Sequence, residues 1–234
     1  MAAGEGRRLR PLTERWAKPV LPVDGRPVLA TLLRELAGVR PETVWLVTGH
    51  LGEQVEALAG DGSAFGLSVR TVRQPEAVGS ADALRRALEA GAAPPLLAVA
   101  ADTVFTPGDL GRARGAWEER GAPGGLGVRP LAPEEVGHRS LVRVEDGRLV
   151  SFGEEARMAD GAVLTAAPLW FLDASLAARV ADVPGPPYEL VAAYRAALAA
   201  GDEVVALPLG PTRDLTHPAD LVASNFPYLS GWGR

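Results

Sequence analysis

Cysteine is absent from the 234 residues, which removes disulfides and thiolate metal sites and is compatible with a cytoplasmic enzyme. Histidine occurs three times, never in the HExxH spacing of a metalloprotease helix, so a histidine metal site is not expected. No apolar run reaches the roughly 18 residues that a membrane span needs. The basic residues near the N-terminus lack the apolar segment that follows them in a secretory signal. The net charge is −5, which argues against nucleic acid as the main partner. Lysine is the most informative shortage. Of 24 Lys and Arg residues, only Lys18 is a lysine. A chain that otherwise takes Arg for positive charge sets its one ammonium beside Pro19, just after a glycine loop. A compact ammonium can approach a phosphate where a planar guanidinium fork cannot.

What is present is ordinary in bulk, at 47% hydrophobic and 23% charged residues, the balance of a soluble globular protein with ample core. Val44–Gly49 reads as a buried strand and Leu51–Ala59 as a short helix. Leu67–Arg73 alternates as a strand. Ser80–Ala90 reads as a helix with a Ser cap and an apolar face of Ala81, Leu84, Ala87 and Leu88. Leu96–Ala101 is a continuous apolar strand, of the kind buried on both faces in a parallel sheet, and Asp109–Arg120 is a helix. This βαβα rhythm predicts an α/β fold, three-layered and Rossmann-like, with a mostly parallel sheet. After about Ala122 a small β-rich insertion is expected, with a hairpin of Leu141–Val144 and Leu149–Phe152 and a strand over Val163–Leu172. Tyr188–Ala200 reads as a helix, Glu203–Leu207 as a strand and Pro218–Asn225 as a closing helix. A single domain over residues 1–234 accommodates all of these.

Ala3-Gly4-Glu5-Gly6-Arg7-Arg8-Leu9 is a loop whose glycines let backbone amides cradle a polyphosphate. It is not a dinucleotide fingerprint, since Leu9 stands where a third glycine belongs, and it has no Gly-Lys-Ser/Thr. The loop continues through Arg8-Leu9, Pro11-Leu12-Thr13, Lys18-Pro19, Leu21-Pro22-Val23, Gly25 and Pro27. That succession resembles the signature of sugar-1-phosphate nucleotidyltransferases, which make NDP-sugars. GDGSAFGL followed by Gln74-Pro75 and Gly79-Ser80-Ala81, then AADTVF, then RDLTHPADL, extend the resemblance over nearly the whole chain.

The resemblance implies attack by an acceptor phosphate oxygen on the α-phosphorus of an NTP, with departure of pyrophosphate. Positioning and charge stabilisation dominate such chemistry. It implies Arg8, Lys18 and Asp102 as catalytic residues, and Ala3, Gly4, Gly6, Gln74 and Gly79 as nucleotide-binding ones. Gln74 and Gly79 are the ones expected at the base. Asp102 and Asp214 are the expected ligands of Mg²⁺, a hard cation that takes carboxylate oxygens. Glu154 is the expected holder of sugar hydroxyls. The implied partners are an NTP and a sugar 1-phosphate. Family members often form dimers or tetramers.

Three departures stand out. The family's acceptor stretch Phe-x-Glu-Lys-Pro reads Phe152-Gly153-Glu154-Glu155-Ala156-Arg157 here, with Glu155 in place of the lysine and Arg157 or Arg139 as replacement cations. The glycine of the family's Tyr-Gly acceptor motif falls near Gly137 or Ser140 without a unique match. The apolar first strand that precedes the family's glycine loop is missing, which makes Met1 the expected last strand residue of a longer chain. The altered acceptor stretch keeps two other readings open. One is cytidylyl transfer to a non-sugar phosphate such as phosphocholine or inositol phosphate; the other is a non-catalytic, nucleotide-binding regulatory homologue.

Overall fold

The computed structural model describes residues 1–130, 140–153 and 164–226. The chain divides into two compact units. One comprises Met1–Ala77, Ala100–Pro107 and Thr212–Arg234, and the other Val78–Val99 and Gly108–Pro211.

The first unit begins with the glycine loop and short 3-10 turns at Arg7–Leu9, Leu12–Glu14 and Lys18–Val20. A small hairpin of β1 (Pro22–Val23) and β2 (Arg26–Pro27) leads into α1 (Val28–Val39). Helix α1 buries Val28, Leu29, Leu32, Leu33, Leu36 and Val39, a spacing of three and four that puts them on one stripe. Strand β3 (Val44–Thr48), helix α2 (Gly52–Ala59) and strand β4 (Val69–Arg73) form a β-α-β order with β3 and β4 parallel. Ala2 adds a parallel bridge to Thr48, and the Met1 carbonyl accepts from Ala101 N at 2.9 Å. A core of Leu9, Leu21, Val23, Val28, Val104 and Leu215 closes beneath the loop, and Leu221 of α7 (Pro218–Asn225) packs on it.

The second unit contains α3 (Ser80–Glu89), β5 (Leu96–Val99), α4 (Asp109–Arg120), β7 (Gly124–Pro130), β8 (Leu141–Glu145), β9 (Arg148–Phe152) and β10 (Leu164–Leu172). Helices α5 (Ala174–Arg179) and α6 (Leu190–Ala199) and strand β11 (Val204–Pro208) complete it. Six strands pair in the order β5-β10-β7-β11-β9-β8, with β10 also touching β8. Two further short strands, β6 (Thr103–Val104) and β12 (Arg213–Asp214), pair antiparallel within the first unit.

The α/β class is as expected, but the named pairings are not mostly parallel. Parallel pairing is confined to β3 with β4, β7 with β11 and the Ala2 bridge; β5 runs antiparallel to β10. A continuous apolar run reports burial on both faces, and it carries no information on strand direction. The β-rich segment is no appendage, since β7 and β10 are inner strands of the six-stranded sheet. Gly124, Gly125 and Gly127 make β7 unlike a strand in sequence. A Cβ at any of them would come within 2.8 Å of Leu176, Leu207 or Leu209, so these glycines are filled by neighbouring leucines. Among the described residues no helix is long and apolar enough to cross a membrane.

Candidate active site

The glycine loop is shaped from within. Gly6 has φ 62°, and a Cβ there would lie 2.9 Å from Thr13 Cγ2, so both conformation and space demand glycine. Its carbonyl accepts from the hydroxyl of buried Thr13 at 2.9 Å and from Leu9 N at 2.8 Å. Gly4 differs, because a Cβ there meets nothing within 4 Å. Ala3 is buried and its carbonyl accepts from His50 N at 3.4 Å. The neighbouring Gly49 permits that approach, since its Cβ would fall 2.6 Å from Ala3 O.

Three arginines follow the loop, and the structure separates them. Arg7 donates to Glu5 at 2.7 Å and Arg10 reaches the same carboxylate at 3.6 Å. The hydrogen bond from Arg7 holds Glu5 below the usual carboxylate range. Arg8 is exposed and has no ion pair among the described residues.

Lys18 and Asp102 come together. Lys18 Nζ donates to Asp102 Oδ2, with side-chain exposures of 15% and 31%. The next residue, Thr103, is buried and donates through Oγ1 to Asp214 Oδ1 at 2.7 Å. Strand register puts Asp214 directly opposite Thr103. Arg213, one residue earlier, pairs with Asp24 in the β1–β2 turn. That hydrogen bond lowers the Asp24 pKa and raises that of Arg213. Asp214 is thus fixed on a short antiparallel pair, and Asp102 immediately precedes its other strand. No group of three or more His, Cys, Asp or Glu suited to a metal occurs among the described residues. Asp102 and Asp214 offer carboxylate oxygens, the ligand type that a hard cation such as Mg²⁺ takes.

Gln74 directly follows β4, 3% exposed, with its backbone N–H donating to Thr48 O at 2.7 Å. Gly79 belongs to the second unit. Its φ is 126°, and a Cβ would sit 2.2 Å from Tyr188 O, so its backbone is pressed against that of Tyr188. Ser80 does not cap α3 as expected. Gly79 holds the cap position without a side-chain bond, and Ser80 is the first helical residue. Its Oγ accepts from Leu190 N at 2.9 Å, capping α6, and donates to Glu189 Oε2 at 2.5 Å. Proximity of the α6 start, invisible in sequence, recruits the hydroxyl. Glu154, Glu155, Arg157, Arg139 and Gly137 lie outside the described residues.

Gly49, His50, Gln54 and Thr103 are site residues that sequence reasoning missed. His50 precedes α2 and the left-handed Leu51 stands between it and the helix, so no helical spacing links it to Gln54 in sequence.

Residues 1–154 match the family described as nucleotidyl transferase. The chain belongs to that family of nucleotidyltransferase enzymes. Over 162 residues it is 36% identical to a CMP-5'-(3-aminopropyl)phosphonate synthase of Streptomyces rubellomurinus, a match that covers 68% of this chain and 24% of that protein. Over 80 residues it is 41% identical to a mannose-1-phosphate guanylyltransferase of Mycobacterium tuberculosis, covering 34% of this chain and 22% of that one. The chain thus spans about a quarter of the length of these relatives. A UTP-bound UGPase from Acinetobacter baumannii superposes with a TM-score of 0.79 at 20% identity, over 97% of this chain and 90% of that one, which establishes the shared fold.

Proposed function

We propose that this chain transfers a nucleotidyl group from an NTP to a sugar 1-phosphate, giving an NDP-sugar and pyrophosphate. The observation that carries the reading is the convergence, within one unit, of the glycine loop, exposed Arg8, the Lys18–Asp102 pair and the Thr103–Asp214 pair. An acceptor phosphate oxygen forms a bond to the α-phosphorus in line, and the bond from that phosphorus to the bridging oxygen of pyrophosphate breaks. Amides of the loop around Gly4 bind phosphate oxygens, and the open space beside Gly4 admits them. Arg8 and Lys18 offset the negative charge that spreads over the phosphates in the transition state. Asp102 orients the Lys18 ammonium. Asp102 and Asp214 would hold Mg²⁺, which when bound neutralises phosphate charge. Gln74 is proposed at the base, and Glu154 at the sugar hydroxyls.

A second reading is supported by a specific observation. The phosphonate synthase matches across 68% of the chain, whereas the guanylyltransferase matches across 34%. The reaction would then be cytidylyl transfer to a phosphate or phosphonate that carries no sugar. The same residues serve both readings, because the bond made at the α-phosphorus is the same.

The test is pyrophosphate release with Mg²⁺, pairing each of five NTPs, dTTP included, with sugar 1-phosphates, phosphocholine, inositol phosphate and an aminoalkyl phosphonate. Release with one sugar 1-phosphate is the expected outcome. Release with CTP and a non-sugar acceptor alone would favour the second reading. Nucleotide binding without release from any pair would contradict both.

A further inference from the structure

The segment Thr48–Gln54, from the end of β3 into α2, touches the catalytic loop at a series of points along its length. Thr48 bridges Ala2, and His50 N donates to Ala3 O. His50 Nε2 lies 2.7 Å from Thr13 O; a carbonyl can only accept, so the imidazole proton is on Nε2. Gln54 then uses both ends of its amide. Its Oε1 accepts from Ala17 N at 2.8 Å, and its Nε2 donates to Arg15 O at 2.8 Å. These two bonds straddle Trp16, which is 56% exposed and brings little packing of its own to hold that stretch. Lys18 follows Ala17 directly. Among the described residues Gln54 Oε1 is the one acceptor at the Ala17 amide, and Ala17 is 1% exposed.

We infer that Gln54, supported by His50, is a positioning residue for nucleotidyl transfer, fixing the backbone from which Lys18 reaches Asp102 and the phosphates. The inference rests on the function proposed above for Lys18. A side-chain amide suits this task because one group supplies both a donor and an acceptor in a plane. The bonds to Arg15 and Ala17 set where Lys18 starts, and the bond to Asp102 sets where it ends. Loss of the first turns one preset geometry into many, and such misplacement is costly even when every reacting group is retained.

Two variants test this. Gln54→Met keeps the length of the side chain and removes both hydrogen bonds; Gln54→Glu keeps the acceptor for Ala17 N and removes the donor to Arg15 O. Hydrogen exchange at the Ala17 amide and steady-state kinetics are measured on both. In Gln54→Met, exchange at Ala17 should rise at least about tenfold. Its kcat/KM for the NTP should fall about 10- to 100-fold, with the acceptor KM and the thermal midpoint close to wild type. Gln54→Glu should keep Ala17 protected and recover part of the lost kcat/KM. Unchanged Ala17 exchange in Gln54→Met, unchanged kcat/KM, or a loss no larger than the drop in folded fraction would overturn the inference. If the wild-type chain transfers no nucleotide at all, the proposed function fails instead, and exchange at Ala17 still decides whether Gln54 holds the loop.

Discussion

Gly4 and Gly79 both match glycines of the family pattern, yet their surroundings are opposite. Beside Gly4 a Cβ would enter open space; beside Gly79 it would strike the Tyr188 backbone at 2.2 Å. The first glycine leaves room that the protein does not use. The second uses its room for the protein, where α3 and α6 start side by side and Ser80 caps the latter. A matched glycine therefore needs its neighbours before it can be assigned to a ligand. The contrast extends to charge: Arg8, Lys18, Asp102 and Asp214 lie in the unit of Gly4, while the interactions around Gly79 are mainly those of helix starts.

Substitutions in the two regions should therefore fail in different ways. Of the substitutions that contrast the two regions, the largest effect is expected at Lys18. Lys18→Ala should reduce kcat by about 10²–10³-fold with the folded state intact, and Lys18→Arg should restore little, because a planar fork does not replace a compact ammonium at 15% exposure. Steady-state kinetics beside circular dichroism checks both. Gly79→Ala should act on stability instead. The clash and the backbone angle together should cost about 3 kcal/mol or more, read as a lowered denaturation midpoint; a stable variant with weakened nucleotide binding alone would erase the contrast.

The smallest effect separates neighbouring arginines. Arg8→Ala should raise the NTP KM about tenfold, near 1.4 kcal/mol, whereas Arg7→Ala, which only frees Glu5 on the surface, should leave it within about twofold.

Legibility in sequence follows the same divide. Motif residues of the first unit, from Ala3 to Lys18 and again at Asp102 and Asp214, are readable because phosphate chemistry dictates residue types at short spacing. Helix α1 is legible too, from its apolar residues at spacings of three and four. Strand β7 was not readable, since Gly124, Gly125 and Gly127 oppose strand propensity and are explained only by the leucines that fill their space. Strand direction was not readable either: the apolar run at β5 is buried as expected but antiparallel to β10. Ser80 shows the limit most simply. A hydroxyl at a helix start serves whichever backbone amide is nearest, and at Ser80 the nearest belongs to Leu190, 110 residues away in the chain.

The most direct measurement is Asp102→Asn, assayed for NTP binding and for pyrophosphate release in the same preparation. Transfer chemistry predicts that binding stays within a few-fold of wild type while turnover falls by about 10³-fold or more. Turnover that survives the substitution, or that falls only in step with weakened nucleotide binding, would contradict the assignment of Asp102 to the reacting centre.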